Sequence, residues 1–207
     1  MTFSKKTRKL FALAAMLPLA AGLTGCFQDE PVAGTKLSVT NFANNPRRNS
    51  VLVVADDTSI MVPEAGSAGD PTMHGGFLQL LNPATHESDV YSLPAENWKA
   101  LPAPAQGYSY VDVHHDHGPC EIVTVTAGER LVASCRGEDV KFSLDAPQQR
   151  ALEVNLVVGT VGGARYCASF GGQVMRDVSA SNMKNHVGSF LAMDAPAPEA
   201  CMPSYTP

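Results

Sequence analysis

The chain has one tryptophan in 207 residues, only 17% charged side chains and no Cys-x-x-Cys pair. Each scarcity excludes something. So low a charge fraction, beside 44% hydrophobic residues, is not that of a disordered chain or a coiled coil. Without Cys-x-x-Cys there is no low-pKa thiol pair for redox exchange. A Gly-x-Ser-x-Gly elbow, a His-Glu-x-x-His pair and a phosphate-cradling glycine loop are also missing, which removes the common hydrolase, metalloprotease and nucleotide-binding signatures. Asp56, Asp57, Asp70 and Asp112 are present, but not in the ordered register of a calcium loop. Excess positive charge is lacking too. The formal net charge is −5, and the first 25 residues hold four of the fifteen basic residues and no acid, so the remainder carries −9. That excludes nucleic acid as a partner.

What is there begins with an address. Lys5, Lys6, Arg8 and Lys9 precede an apolar run over 10–23, and Leu23-Thr24-Gly25-Cys26 follows. The run is too short for a spanning helix of about 20 residues, and the order of segments is that of a signal peptide. The small residues before the cysteine form a lipobox, so cleavage leaves Cys26 as the acylated N-terminus, with two or three acyl chains giving a stable membrane anchor. Phe27, in place of an aspartate, follows the cysteine and favours sorting to the outer membrane, as in Gram-negative lipoproteins. The sequence therefore divides into a signal peptide (1–25), an acylated N-terminus and polar tether (26–35), a β domain (36–203) and a short tail (204–207).

The body alternates β-rich runs with turn signals. Candidate strands cover 36–40, 50–55, 77–81, 88–93, 108–113, 121–126, 130–135, 140–144, 151–158, 165–170 and 188–193. Period-two patterns such as Val140, Phe142, Leu144 and Leu152, Val154, Leu156, Val158 argue half-buried antiparallel strands. No long amphipathic helix is read, and 95–101 around Trp98 has room for one or two helical turns. The expectation is an all-β fold, an antiparallel β-sandwich or barrel-like domain.

With Cys26 assigned to lipid, Cys120, Cys135, Cys167 and Cys201 form an even set in an exported chain. Three pairings are open. A two-residue turn at Ala127-Gly128 places Thr126 opposite Glu129 and Cys120 opposite Cys135, which favours that bridge and leaves Cys167 with Cys201 to pin the Pro/Ala-rich tail. A strand pair of the wider, hydrogen-bonded type makes a bulge near the turn desirable.

Two clusters suggest ligands. His114, His115 and His117 lie in one four-residue window, and imidazoles with Asp116 nearby suit zinc or copper. They converge only if the loop turns sharply, because in an extended chain His114 faces away from the other two. Trp98, with Tyr108 and Tyr110 on one strand face, would suit sugar stacking if that face is exposed, and core packing if it is not.

Taken in order, Tyr166-Cys167-Ala168-Ser169-Phe170-Gly171-Gly172 and Ala195-Pro196-Ala197-Pro198-Glu199-Ala200-Cys201, with looser matches such as Leu93-Pro94-Ala95-Glu96-Asn97-Trp98 and Gly118-Pro119-Cys120, give a recognisable set. The chain resembles an uncharacterised extracellular β-rich domain of secreted Gram-negative proteins over nearly all of 36–203. The resemblance implies secretion and the four cysteines and assigns no activity. Where that domain is Lys-rich, this chain has Asp112 to His117, so the histidines are its own. The reading that results is a membrane-anchored lipoprotein without catalytic role, a binding or structural module of the cell envelope whose partners are membrane lipid and an unidentified protein or glycan. The alternatives are a metal-binding protein using the histidines and a sugar-binding module using Trp98.

Overall fold

A computed structural model describes residues 27–160, 162–181 and 186–202. Its strands are β1 (Gln28–Pro31), β2 (Gly34–Phe42), β3 (Ser50–Asp56), β4 (Gly76–Leu81), β5 (Ser88–Leu93), β6 (Trp98–Ala100), β7 (Gly107–Val111), β8 (Cys120–Thr126), β9 (Arg130–Arg136), β10 (Leu152–Val158), β11 (Ala164–Phe170), β12 (Gln173–Val178) and β13 (Val187–Ala195). One sheet runs β1-β11-β10-β4-β5 and the other β12-β13-β2-β3-β9-β8-β7-β6. The fold is all-β, a sandwich with free edges rather than a closed barrel. Every pairing is antiparallel except that of β1 with β11. Among the described residues helix is confined to the single turn α1 (Pro71–His74) and two 3-10 turns, Pro46–Arg48 and Ala95–Asn97. No helix among the described residues is long and apolar enough to cross a membrane.

The core follows from period two. Leu37 and Val39 of β2, Val51 and Val53 of β3, Val123 and Val125 of β8, and Leu131 and Ala133 of β9 are buried on one side. Leu78 and Leu80 of β4, Leu152, Val154, Leu156 and Val158 of β10, and Tyr166 and Phe170 of β11 complete the same cluster from the other sheet. β10 departs from the half-buried expectation, since all seven of its residues are buried. The bridge between Cys167 and Cys201 lays the tail over the outer side of this sheet, and the Arg165 guanidinium donates to the Met202 carbonyl at 3.3 Å.

Both expected disulfides are present, Cys120–Cys135 and Cys167–Cys201. The register behind the first differs from the two-residue turn. Thr126 pairs with Arg130, so three residues turn, with Gly128 at φ 64°. The resulting one-residue offset is cancelled by a bulge between Cys120 and Ile122, which brings Cys120 opposite Cys135.

Two other expectations are corrected. The run 140–144 is not a strand, although Val140, Phe142 and Leu144 are all buried. Side chains take the place of a neighbouring strand. Asn49 and Asn41 amides donate to the carbonyls of Val140 (2.8 Å) and Phe142 (3.0 Å), while Asp89 and Glu87 accept from the N–H groups of Lys141 (2.7 Å) and Ser143 (2.5 Å). This strip joins β5 of one sheet to β2 and β3 of the other. Nor is 27–35 a tether. Gln28 N–H donates to Gly163 O at 2.7 Å and Val32 N–H to Cys167 O at 2.9 Å, and Arg165 grips both oxygens of Asp29 at 2.7 and 2.6 Å. The chain enters the sheet at Gln28.

Candidate functional site

The aromatic set belongs to the core. Tyr108 and Tyr110 point inward from β7, and Trp98 is the cross-strand partner of Tyr110, with ring centroids 5.5 Å apart and the planes at 62°. The three are 3–4% exposed at most. Trp98 Nε1 donates to Leu93 O at 3.0 Å, which satisfies its one polar atom. No stacking face is presented to a sugar, so the expected glycan platform of Trp98, Tyr108 and Tyr110 is not formed. Burial, then the nearby Asp112 carboxylate, pushes the Tyr110 hydroxyl up to about 12.

The histidine window is a loop wrapped round Asp112. The Asp112 carboxylate accepts from the N–H groups of Asp116 (3.1 Å) and His117 (2.8 Å), and His115 takes φ 58° to let the chain turn. Burial alone would raise the Asp112 pKa; the two N–H groups and the neighbouring imidazoles outweigh it and hold the carboxyl below its usual value. The imidazoles are drawn apart. His115 Nε2 meets Glu121 Oε1 at 3.1 Å, and His117 Nε2 meets Glu96 Oε1 at 3.4 Å on the 3-10 turn after β5. His114 is exposed. Among the described residues no group of three or more His, Cys, Asp or Glu side chains could hold a metal ion. The zinc or copper site that His114, His115 and His117 could offer is therefore not assembled: His115 is drawn to Glu121, His117 to Glu96 and Asp112, and His114 is exposed. Beside this loop is a concavity of about 460 Å³ lined by Arg47, His115, Arg136 and Glu138. Its arginines are already paired, Arg47 with Glu138 and Arg136 with Glu121.

A second region, missed in the sequence, lies where the chain passes from β3 to β4. Residues 61–64 form a strap held by tyrosines from both sheets. Tyr166 OH donates to Met61 O at 2.5 Å and Tyr108 OH to Pro63 O at 2.9 Å. Burial is the main cause raising the pKa of both hydroxyls, with Asp70 adding to the rise at Tyr108 and Glu30 at Tyr166. Each end of the passage is clamped by an aspartate. Asp57 accepts from Ala33 N (2.8 Å) and Ser59 N (2.8 Å), and Asp70 accepts from Gly66 N (2.6 Å) and Thr72 N (2.8 Å) while capping α1. The pKa of each is lowered: backbone hydrogen bonds lead at Asp57, and at Asp70 the hydrogen bonds overcome the larger opposing effect of burial.

Clefts of about 380 and 330 Å³ flank the strap and share Val62, Pro63 and Glu64. The first continues onto Leu101, Gln106 and Tyr108, the second onto Gln28, Met61 and Gly163. Their linings mix small aliphatic side chains with Glu64, Gln106 and Tyr108 in the first cleft and with Gln28, Glu30, Glu64 and Ser67 in the second. The sequence signal for them is the pair of small-residue runs Ala65-Gly66-Ser67-Ala68-Gly69 and Pro102-Ala103-Pro104-Ala105-Gln106-Gly107, of which the first reads only as turn punctuation.

Cys26 lies outside the described residues, as does 203–207. No family model, curated protein or solved structure matches this chain.

Proposed function

We propose that this chain is a bacterial lipoprotein, exported, acylated at Cys26 and carried to the outer membrane, where its sandwich serves as a non-catalytic binding or structural module of the cell envelope. The observation that carries the reading is the order of segments over residues 1–26: four basic residues, an apolar run and the lipobox Leu23-Thr24-Gly25-Cys26. Strand β1, paired to β11 from Gln28, follows within two residues, so an acylated Cys26 would lie directly beside a sheet. The two disulfides support an oxidising compartment. The non-catalytic part rests on what the acids do: Asp57, Asp70 and Asp112 hold main-chain N–H groups and are not left to react.

Metabolic labelling with palmitate, followed by membrane fractionation, tests the anchor. The wild-type chain takes up label and sediments with outer membrane; Cys26→Ser takes up none and is released. Label retained on the serine variant, or an unlabelled wild type, refutes the assignment.

A further inference from the structure

If Cys26 carries lipid, the fold leaves almost no leash. Two peptide steps separate Cys26 from Gln28, a reach of at most about 7 Å. Gln28 is fixed by its bond to Gly163, so the acyl chains enter the bilayer within that distance of the turn between β10 and β11. The strap is bound to the same place. Thr160 N–H donates to Ala68 O at 3.0 Å, and Gly159 N–H donates to Gly75 O at 2.8 Å, which brings α1 alongside. Two of the most exposed large apolar side chains lie on these pieces, Met61 at 56% and Met73 at 58%.

Charge is distributed to match. The strap residues 61–69, the loop 101–107 and the turn 159–163 contain a single ionisable side chain, Glu64, in a chain whose exported part carries −9. The adjoining strand β1 adds two acids: Asp29 is paired by Arg165, and burial raises the pKa of Glu30, which lines the same cleft as Glu64. Elsewhere the loops are dense in charge: Arg47 and Arg48 in one, Arg136, Glu138, Asp139 and Lys141 in another. An interface facing phospholipid headgroups must keep unpaired acids few and offer apolar side chains that enter the boundary by about 5–10 Å.

We infer that the acylated domain sits directly on the phospholipid surface through this end of the sandwich, with Met61 and Met73 entering the interface beside the acyl chains. The inference rests on the lipoprotein reading. The cleft that holds Gln28, Glu30, Met61, Glu64 and Gly163 then opens at the headgroup level, and the loop of Asp112 and the histidines follows the end of β7 away from Tyr108, whose hydroxyl holds the strap.

The test uses the full acylated chain in vesicles of phosphatidylethanolamine with a minority of phosphatidylglycerol, carrying nitroxide lipids labelled near the headgroup. Tryptophan is placed in turn by Met61→Trp, Met73→Trp and, as the remote reporter, Val113→Trp, which lies past the end of β7 away from Tyr108, whose hydroxyl holds the strap, and the signal of Trp98 is subtracted using the parent protein. Val113 is 57% exposed, so all three positions accept the larger side chain without disturbing packing. Quenching at 61 and 73 is expected to exceed that at 113 by about twofold or more, because only the first two enter the quencher's depth. Inserting a long Gly/Ser segment between Phe27 and Gln28 should reduce quenching at 61 and 73 to the level at 113. Equal quenching at all three sites on a palmitate-labelled protein overturns the seat and leaves the anchor standing. Absence of palmitate on the parent overturns the anchor, and the seat with it. Quenching that survives the inserted segment overturns the argument from the short leash.

Discussion

Asp112→Asn removes one charge from a loop built around it, and the structure fixes both the size and the pH dependence of the effect. The carboxylate accepts two main-chain N–H groups, at 3.1 and 2.8 Å, from a residue that is only 5% exposed. A hydrogen bond to a charged acceptor contributes about 1.5–3 kcal/mol, and the single carbonyl of asparagine keeps roughly one of the two, so the variant loses about 1.5–3 kcal/mol near neutral pH. The folded-state pKa of Asp112 is depressed. Its stabilisation is therefore fully present above the unfolded carboxyl value, about 4, and is lost as the pH falls through the lower folded value. Asparagine does not titrate. The gap between wild type and Asp112→Asn should be widest near neutral pH and shrink steadily once the pH passes below about 4. Urea unfolding at a series of pH values, read by the fluorescence of Trp98, measures both. A gap under about 0.5 kcal/mol at neutral pH, the size of an ordinary surface change, refutes the clamp. A gap that stays constant into acid refutes its electrostatic origin.

Asn49→Ala should cost about 2–4 kcal/mol, because Phe42 N–H (2.7 Å) and the Val140 carbonyl (2.8 Å) both lose a buried partner. Hydrogen exchange at Lys141 and Ser143 should accelerate with it, and unchanged exchange would show that the strip does not depend on Asn49. Replacing Cys120 and Cys135 together by alanine opens a 15-residue separation and should lower stability by about 3 kcal/mol in the chain-entropy model, read as a shift of the denaturation midpoint relative to wild type under oxidising conditions. Gly107→Ala would put a Cβ 2.0 Å from Val125 O at φ 150°, so β7 must move off β8. A melting temperature within error of wild type would contradict the close approach.

Alternation identified the strands that have one face on the core, and it failed where something other than a strand satisfies the backbone. Val140, Phe142 and Leu144 alternate as a strand should, and they are buried as a strand's would be. Their main chain is nevertheless bonded to Asn41, Asn49, Glu87 and Asp89, residues 52–101 positions away. Binary pattern reports which side chains face the core; it does not report what the peptide groups bond to. β1 failed in the opposite sense. Gln28-Asp29-Glu30-Pro31 has no apolar alternation and ends in proline, which is tolerable because it is an edge strand, held by β11 on one side only. The hairpin between β8 and β9 shows a third case. The bridge between Cys120 and Cys135 is legible from spacing, but the three-residue turn and the bulge at Glu121 cancel in the count, so the pairing is recovered from a register that is off by one.

The acids explain why the candidate sites were less legible than the strands. In sequence, Asp57, Asp70 and Asp112 could be read only as lacking the register of a calcium loop, because a carboxylate in a loop gives no sign of what it faces. In the fold, Asp57, Asp70, Glu87, Asp89, Asp112 and Asp177 together accept ten main-chain N–H groups, among them Ala33, Lys141, Ser143, Gln149 and Arg150. Loops between sheets leave N–H groups that no ladder can pair, and a carboxylate accepting two of them satisfies both more strongly than a neutral acceptor would. Much of the negative charge is therefore directed at the protein's own backbone rather than displayed as a cation site. The same use of charge accounts for the strap. Its ends are fixed by Asp57 and Asp70 and its middle by two tyrosine hydroxyls, so the span between them needs no further polar anchor and can be built from Met61, Val62, Pro63 and small residues. An end of the molecule held this firmly, presenting Met61 and Met73 and with Asp29 paired to Arg165, has the composition that the proposed contact with lipid requires.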